Sequence, residues 1–379
     1  MFKTTRSYPY LISGIIILAL SFVYGCGNVT GGGGSSGGGA STWVTVGTAG
    51  FSSDQASYIS LFISSEGTPY VAFKDFGNSN KATVMKYDGA TWVNVGNAGF
   101  SVDQPHDISL FMYGGIPYVA YQDESDWKAT VMKLNGLTWE AVGSAGFSSG
   151  QANYISLFIS SEGTPYVAYR DNANSNKATV MKLNGLTWEA VGSPGFSPGD
   201  VTYNSLFIYE GTPYVAFRNN PTGEATVMKY NGAAWVTVGN ADFSSGEASY
   251  ISLFVSSEGT PYVAYTDDGF AGKASVMKLN GLNWEAVGNE GFSAGSAVYL
   301  SFFINSSGIP YVAYKDDANS NKATVMKLNG LTWEAVGSAG FSAGTADFTS
   351  LFIDSSGIPY VAFRDNGNSD KATVMKYVP

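Results

Sequence analysis

Ile155-Ser156-Leu157-Phe158-Ile159, Pro165-Tyr166-Val167-Ala168-Tyr169-Arg170-Asp171, Lys177-Ala178-Thr179-Val180-Met181-Lys182 and Thr187-Trp188-Glu189-Ala190-Val191-Gly192 are four runs of one stretch that keeps returning along the chain. Its tryptophan recurs as Trp43, Trp92, Trp139, Trp188, Trp235, Trp284 and Trp333, at intervals of 47 or 49 residues. A period of this length marks a supersecondary unit that cannot bury its apolar faces alone and must stack on its neighbours. All four runs are short, rich in Val, Ile, Thr, Tyr and Phe, and free of helical periodicity, so each is expected to be a strand. We label them a to d.

Proline opens strand b, where a missing N–H costs least. Asn184-Gly185 lies between strands c and d, and Asp88-Gly89, Asn135-Gly136, Asn231-Gly232, Asn280-Gly281 and Asn329-Gly330 repeat it. This dipeptide predicts a two-residue type I′ hairpin. The runs look apolar on both sides, as expected of a strand packed between two neighbours. Four antiparallel strands per unit describe the blade of a β-propeller. Residues 350 to 377 supply strands a to c of a last unit, and the sequence stops where its tryptophan strand is due. An orphan tryptophan strand, Thr42 to Gly47, opens the repeats. The expectation is an all-β, seven-bladed propeller over residues 42–379, closed by that N-terminal strand.

Residues 1–25 read as a signal peptide: Lys3 and Arg6 precede an apolar stretch, Leu11 to Val23, too short to span a membrane comfortably. Val23-Tyr24-Gly25-Cys26 resembles a bacterial lipobox. The resemblance implies that Cys26, the chain's one cysteine, becomes an acylated N-terminus anchored in the envelope, with Gly27 permitting export to the outer membrane. Residues 26–41 are dominated by Gly and Ser and read as a flexible tether. With Cys26 committed, the repeats hold no thiol for a disulfide or thiolate metal site.

Asp88-Gly89-Ala90-Thr91-Trp92 resembles the Asp-box of sialidase-type propellers, and the single-strand closure is similar to that of WD-type and kelch-type propellers. These resemblances imply the fold and no activity. The chain has 20 Lys and Arg against 30 Asp and Glu, a net charge of −10. Phosphate backbones are repelled by such a surface, and no basic cluster follows Arg6, which argues against nucleic-acid binding. Contact with a membrane is expected through the lipid alone, and the closed ring is expected to be a monomer.

In a propeller the b–c and d–a loops share one face, and three groups of residues fall there. Asp75, Asp171, Asp316 and Asp365 begin b–c loops of Asp, Asn, Gly and Ser. Their oxygens are calcium-ligand types, yet the same residues are the usual turn formers and lack the alternate spacing of a calcium loop. Tyr58, Tyr154, Tyr203, Tyr250, Tyr299 and Phe348 precede strand a and are expected to ring the channel mouth, as binding aromatics or as packing. Blade two departs from the others through His106, Asp107, Asp123, Glu124, Asp126 and Trp127, which make a local site or record drift in one copy. The three arginines of the repeats, Arg170, Arg218 and Arg364, read as a repeated surface charge. No Ser-His-Asp order, cysteine nucleophile or multi-histidine site is present. A non-catalytic envelope propeller that binds glycan or protein is the leading expectation. The alternatives are an assembly lipoprotein holding a protein partner, and a polysaccharide hydrolase or lyase.

Overall fold

A computed structural model of the chain describes residues 41–379. The leader, Cys26 and all of the tether but Ser41 lie outside the described residues. Seven four-stranded antiparallel sheets make a seven-bladed ring, each sheet in the order a-b-c-d. Blade one runs through Ala56–Ile63, Pro69–Asp75, Lys81–Tyr87 and Trp92–Asn94. Blade seven takes Ala346–Ile353, Pro359–Asp365 and Lys371–Val378 from the C-terminus and Thr42–Thr45 from the N-terminus. Thr42 pairs with Val378 and Thr45 with Met375, so the orphan strand closes the ring as expected.

The core is a set of seams between blades. In strand b the valines Val71, Val119, Val167, Val215, Val263, Val312 and Val361 are wholly buried, and the alanine after each is at most 1% exposed. Val263 packs in the same cluster as Ala216, Ala225 and Val227 of the preceding blade. The Val-Ala dipeptide thus offers a large residue to one neighbour and a small one to the other, which fills a seam without voids. Strand b is buried on both faces, whereas strand a alternates buried and half-buried positions because its other face lines the axis.

Two rings of hydrogen bonds join the blades. Each repeat tryptophan donates its Nε1–H to the valine carbonyl that follows strand d of the preceding blade, at 2.7–3.0 Å, from Trp92 to Val46 round to Trp43 on Val336. The same indoles stack on a phenylalanine of the d–a loop, with centroids 3.8–4.3 Å apart. Nearer the axis, Ser60, Ser109, Ser156, Ser205, Ser252, Ser301 and Ser350 each accept a backbone N–H from strand a of the next blade, at 2.9–3.3 Å.

The c–d hairpins correct the type I′ expectation. Asn184 pairs with Thr187, so the turn residues are Gly185 and Leu186. Of the two, only the glycine has positive φ, at 61°, which is the II′ pattern. Asn135, Asn184, Asn280 and Asn329 belong to strand c, where each amide donates to a glutamate of strand d. In blade one the loop is longer, and the Asp88 carboxylate accepts the N–H groups of Ala90 and Thr91.

Candidate functional site

Each strand a carries a bulge two or three residues from its start. The register between Ser57 and Ser60 of blade one shifts there, and the equivalent shift occurs in all seven blades. At the bulge stand Tyr58, Asp107, Tyr154, Tyr203, Tyr250, Tyr299 and Phe348, with φ between 50° and 57°. A left-handed backbone costs a non-glycine residue on the order of 1–2 kcal/mol. Bulges re-aim side chains, and strain of this kind persists where surrounding structure imposes it. Here it turns one side chain from every blade to the axis while the rest of the strand stays in register.

The result is a collar around a cavity of about 310 Å³ on the axis. Neighbouring ring centroids are 5.3 Å apart from Tyr154 through Tyr203 and Tyr250 to Tyr299, then 4.9 Å to Phe348 and 5.4 Å from there to Tyr58. Asp107 occupies the one place between Tyr58 and Tyr154 where no aromatic stands. Its carboxylate accepts the backbone N–H of Tyr154. Burial pushes the Asp107 carboxyl above the usual carboxylate range, against the pull of that N–H and of His106. Burial likewise raises the phenols of Tyr58, Tyr154 and Tyr250, the last to about 12.

Beneath the collar lies a floor of buried residues from the following position: Ile59, Ile108, Ile155, Asn204, Ile251, Leu300 and Thr349. Thr349 donates its hydroxyl to the Tyr299 carbonyl. Asn204 is 8% exposed, and neither atom of its carboxamide has a partner. At the far end of the channel Phe62, Phe111, Phe158, Phe207, Phe254, Phe303 and Phe352 form an unbroken ring with centroids 4.7–5.3 Å apart.

The blade-two residues divide. His106, Glu124 and Trp127 come together beside the collar: Tyr58 Oη is 3.1 Å from His106 Nδ1, and His106 Nε2 is 3.4 Å from Glu124 Oε2. The Trp127 ring lies 5.3 Å from the imidazole and is 40% exposed. Asp123 is buried and accepts both the N–H and the hydroxyl of Ser125, while Asp126 accepts the Lys128 N–H. Those two carboxylates organise the loop. Lys74 of blade one is buried and without an ion pair among the described residues; burial lowers its pKa against the opposing pull of Glu124 and Asp103.

Asp75, Asp171, Asp316 and Asp365 sit at the start of 3₁₀ turns, at most 2% exposed. Each accepts an asparagine amide three residues on, and Asp171, Asp316 and Asp365 also take a threonine hydroxyl of strand c. All of their oxygens but Asp316 Oδ1, which is buried without a partner, face N–H or O–H donors or neighbouring protein, and no group of three His, Cys, Asp or Glu arranged for a metal occurs among the described residues. Arg170 pairs with Asp200 and Arg218 with Glu247, each a carboxylate just before strand a, and Arg364 pairs with Asp347 at the start of strand a in blade seven; Lys315 also reaches Asp347. Sequence reading alone passed over Asn204, Lys74 and the Tyr58–His106 contact. Aligning the copies would have flagged Asn204, the one asparagine in a column of Ile, Leu and Thr.

No protein-family model matches the chain, and no curated protein matches it in sequence. Many solved structures share the architecture. One is a polysaccharide lyase described as an ulvan lyase, with TM-score 0.57 and 14% identity over 86% of this chain and 94% of that one. A second is the Aleuria aurantia lectin in complex with Fucα1-6GlcNAc, with TM-score 0.51 and 13% identity over 77% and 99% of the two chains. A third is a protein of unknown function from Dyadobacter fermentans, with TM-score 0.50 and 12% identity over 89% and 97%. Likeness at this identity shows the propeller fold.

Proposed function

We propose that the chain is a non-catalytic glycan-binding propeller, held at the bacterial envelope by a lipid on Cys26 and presenting its b–c and d–a loop face to the ligand. The observation that carries the reading is the collar: six aromatic residues held in left-handed backbone around one open cavity. Strain repeated at every blade supports a role for where those rings point. Flat aromatic faces bearing hydroxyls suit sugar rings, which pair an apolar C–H face with a polar edge. Trp127, exposed beside the collar, extends the aromatic surface outward. Propellers on which carbohydrate is bound or cleaved stand among the structural neighbours, which makes a sugar ligand the natural first choice.

The test is a glycan array probed with soluble residues 42–379, with calcium and with chelator. Retention of a sugar class in both buffers is the expected result. A blank array from folded protein overturns the reading and turns the search to protein partners, and loss in chelator assigns the Asp75-type loops to calcium.

The Tyr58–His106–Glu124 chain favours a second reading, polysaccharide cleavage. A phenol, an imidazole and a carboxylate in hydrogen-bond sequence are a proton path. That reading requires turnover of a polysaccharide by the wild type, lost in His106→Ala and in Tyr58→Phe.

A further inference from the structure

Four blades end their c–d hairpin on a leucine that has no packing to do. Leu137, Leu186, Leu282 and Leu331, in blades two, three, five and six, are 78–83% exposed, more than any other large apolar side chain among the described residues. Each follows a glycine of positive φ and takes the second place of a II′ turn. Turn tips are ordinarily polar. One exposed leucine needs no explanation, but four at the same place in a ring do.

Chain direction sets where these tips lie. Strand a runs from the collar to the phenylalanine ring, b returns, and c runs down again, so the c–d hairpins turn on the side opposite the collar. The N-terminal chain joins the ring on that same side. Thr42 pairs with Val378 as Thr187 pairs with Asn184, so Ser41 stands where other blades have their hairpin tip. Fifteen residues, mostly Gly and Ser, separate Thr42 from Cys26, the residue expected to carry lipid. A coil of that composition and length spans roughly 20 Å, which holds this side of the ring toward the bilayer and the collar away from it.

Strand c supplies a polar complement. In the four leucine blades its lysine is paired, as Lys182 is with Glu189 at 3.3 Å. In blades one, four and seven a valine stands across from it, and Lys86, Lys229 and Lys376 have no ion pair among the described residues. Leucine tips and free ammonium groups on one side match hydrocarbon lying beneath phosphate headgroups. Exposed Glu66, Glu162 and Glu258 on the a–b turns keep that side from being cationic, so a zwitterionic bilayer suffices. The tips stand on separate hairpins, which suits a fluid apolar phase; a protein partner needs a contiguous apolar core to its interface.

We propose that the c–d side of the ring docks on a lipid bilayer, with Leu137, Leu186, Leu282 and Leu331 inserted at the boundary of headgroups and acyl chains. The contact adds protein to a membrane attachment that the sequence ascribed to lipid alone. Outward display of the collar rests on the acylated Cys26 of the proposed function, and insertion of the leucines does not.

Residues 27–379 contain no cysteine, so one introduced thiol carries a dye at one place. Leu186→Cys puts it on a hairpin tip and Asn172→Cys on a b–c loop, both exposed. A polyhistidine tag joined to Gly27 holds either protein on phosphatidylcholine vesicles containing nickel-chelating lipid, which reproduces the point of tethering. The Leu186→Cys dye is expected to shift to the blue and to be quenched by a spin label within the bilayer; the Asn172→Cys dye is expected to do neither. Adding Leu137→Ser, Leu282→Ser and Leu331→Ser, at positions too exposed to serve the core, is expected to abolish the shift. A tip dye that stays aqueous, equal signals from the two sites, or a shift that survives the three serines overturns the proposal. The mass of the mature protein decides the anchor separately. An unacylated protein whose tip inserts sinks the anchor and spares the docking side, and an acylated one whose tip stays aqueous does the reverse.

Discussion

At the scale of single residues, the axis is where physical cost is concentrated. Seven residues with side chains adopt left-handed backbone there, the half-buried Asp107 carboxylate has no ion pair among the described residues, and one carboxamide is unsatisfied. Asp107 gives the cost a pH signature. Burial raises its folded pKa above the unfolded value, so the folded state holds the proton more tightly, and stability falls as pH rises between the two values. Asp107→Asn removes that fall. Melting temperatures should match or favour the wild type in acid and favour the variant near neutrality; a difference that does not vary with pH contradicts the assignment. Asp347 has the opposite sign. Burial alone would raise it, yet Lys315 and Arg364 outweigh burial and hold it below the usual carboxylate range. Its contribution is present above that range and is lost as pH falls through the folded value. The collar tyrosines were legible in the sequence because they repeat in register. Asn204 was not, because its meaning depends on burial and on missing partners, which a string of letters does not display.

At the scale of elements, strand d acts as a staple between blades. The indole of Trp188 stacks on Phe147, and its Nε1–H meets the Val142 carbonyl at 2.8 Å. Trp188→Phe keeps a ring for stacking and leaves that carbonyl unpaired, which costs about 1–3 kcal/mol. Trp188→Ala removes the ring as well and costs about 3–5 kcal/mol. Thermal unfolding should rank wild type above Phe above Ala, and equal losses from the two variants would show that the hydrogen bond contributes nothing. The strands themselves were legible from β-branched and aromatic runs. The c–d turn was legible only as a turn. Asn-Gly suggested a two-residue I′ loop, but strand c continues through the asparagine, whose amide finds a glutamate on strand d, and this moves the turn one residue on. Strand-a bulges were equally hidden, since no glycine marks them and each is set by the packing of seven blades about a common axis.

At the scale of the whole molecule, closure depends on four residues. Thr42–Thr45 supplies the last strand, and Trp43 joins blade seven to blade six through Val336. Closure was legible because a surplus strand at one end matched a missing strand at the other. Removing Thr42 to Gly47 leaves strand c of blade seven as an open edge, a template for pairing with another chain. Such a truncation should melt below the wild type and self-associate as concentration rises in size-exclusion chromatography; a monomer of unchanged melting temperature contradicts the closure. What lies on the ring's face was less legible than the ring, because near-identical copies advertise packing first: the same repeated tyrosines read equally as packing or as a binding collar until the cavity they surround is seen. The central claim is that the axial collar binds sugar, and the most direct measurement is one glycan array read side by side with wild type and with Tyr203→Ala/Tyr250→Ala. Selective binding by the wild type that falls by roughly tenfold or more in the folded double variant is the expected result. Binding that survives loss of both rings, or a blank array from folded wild type, contradicts it.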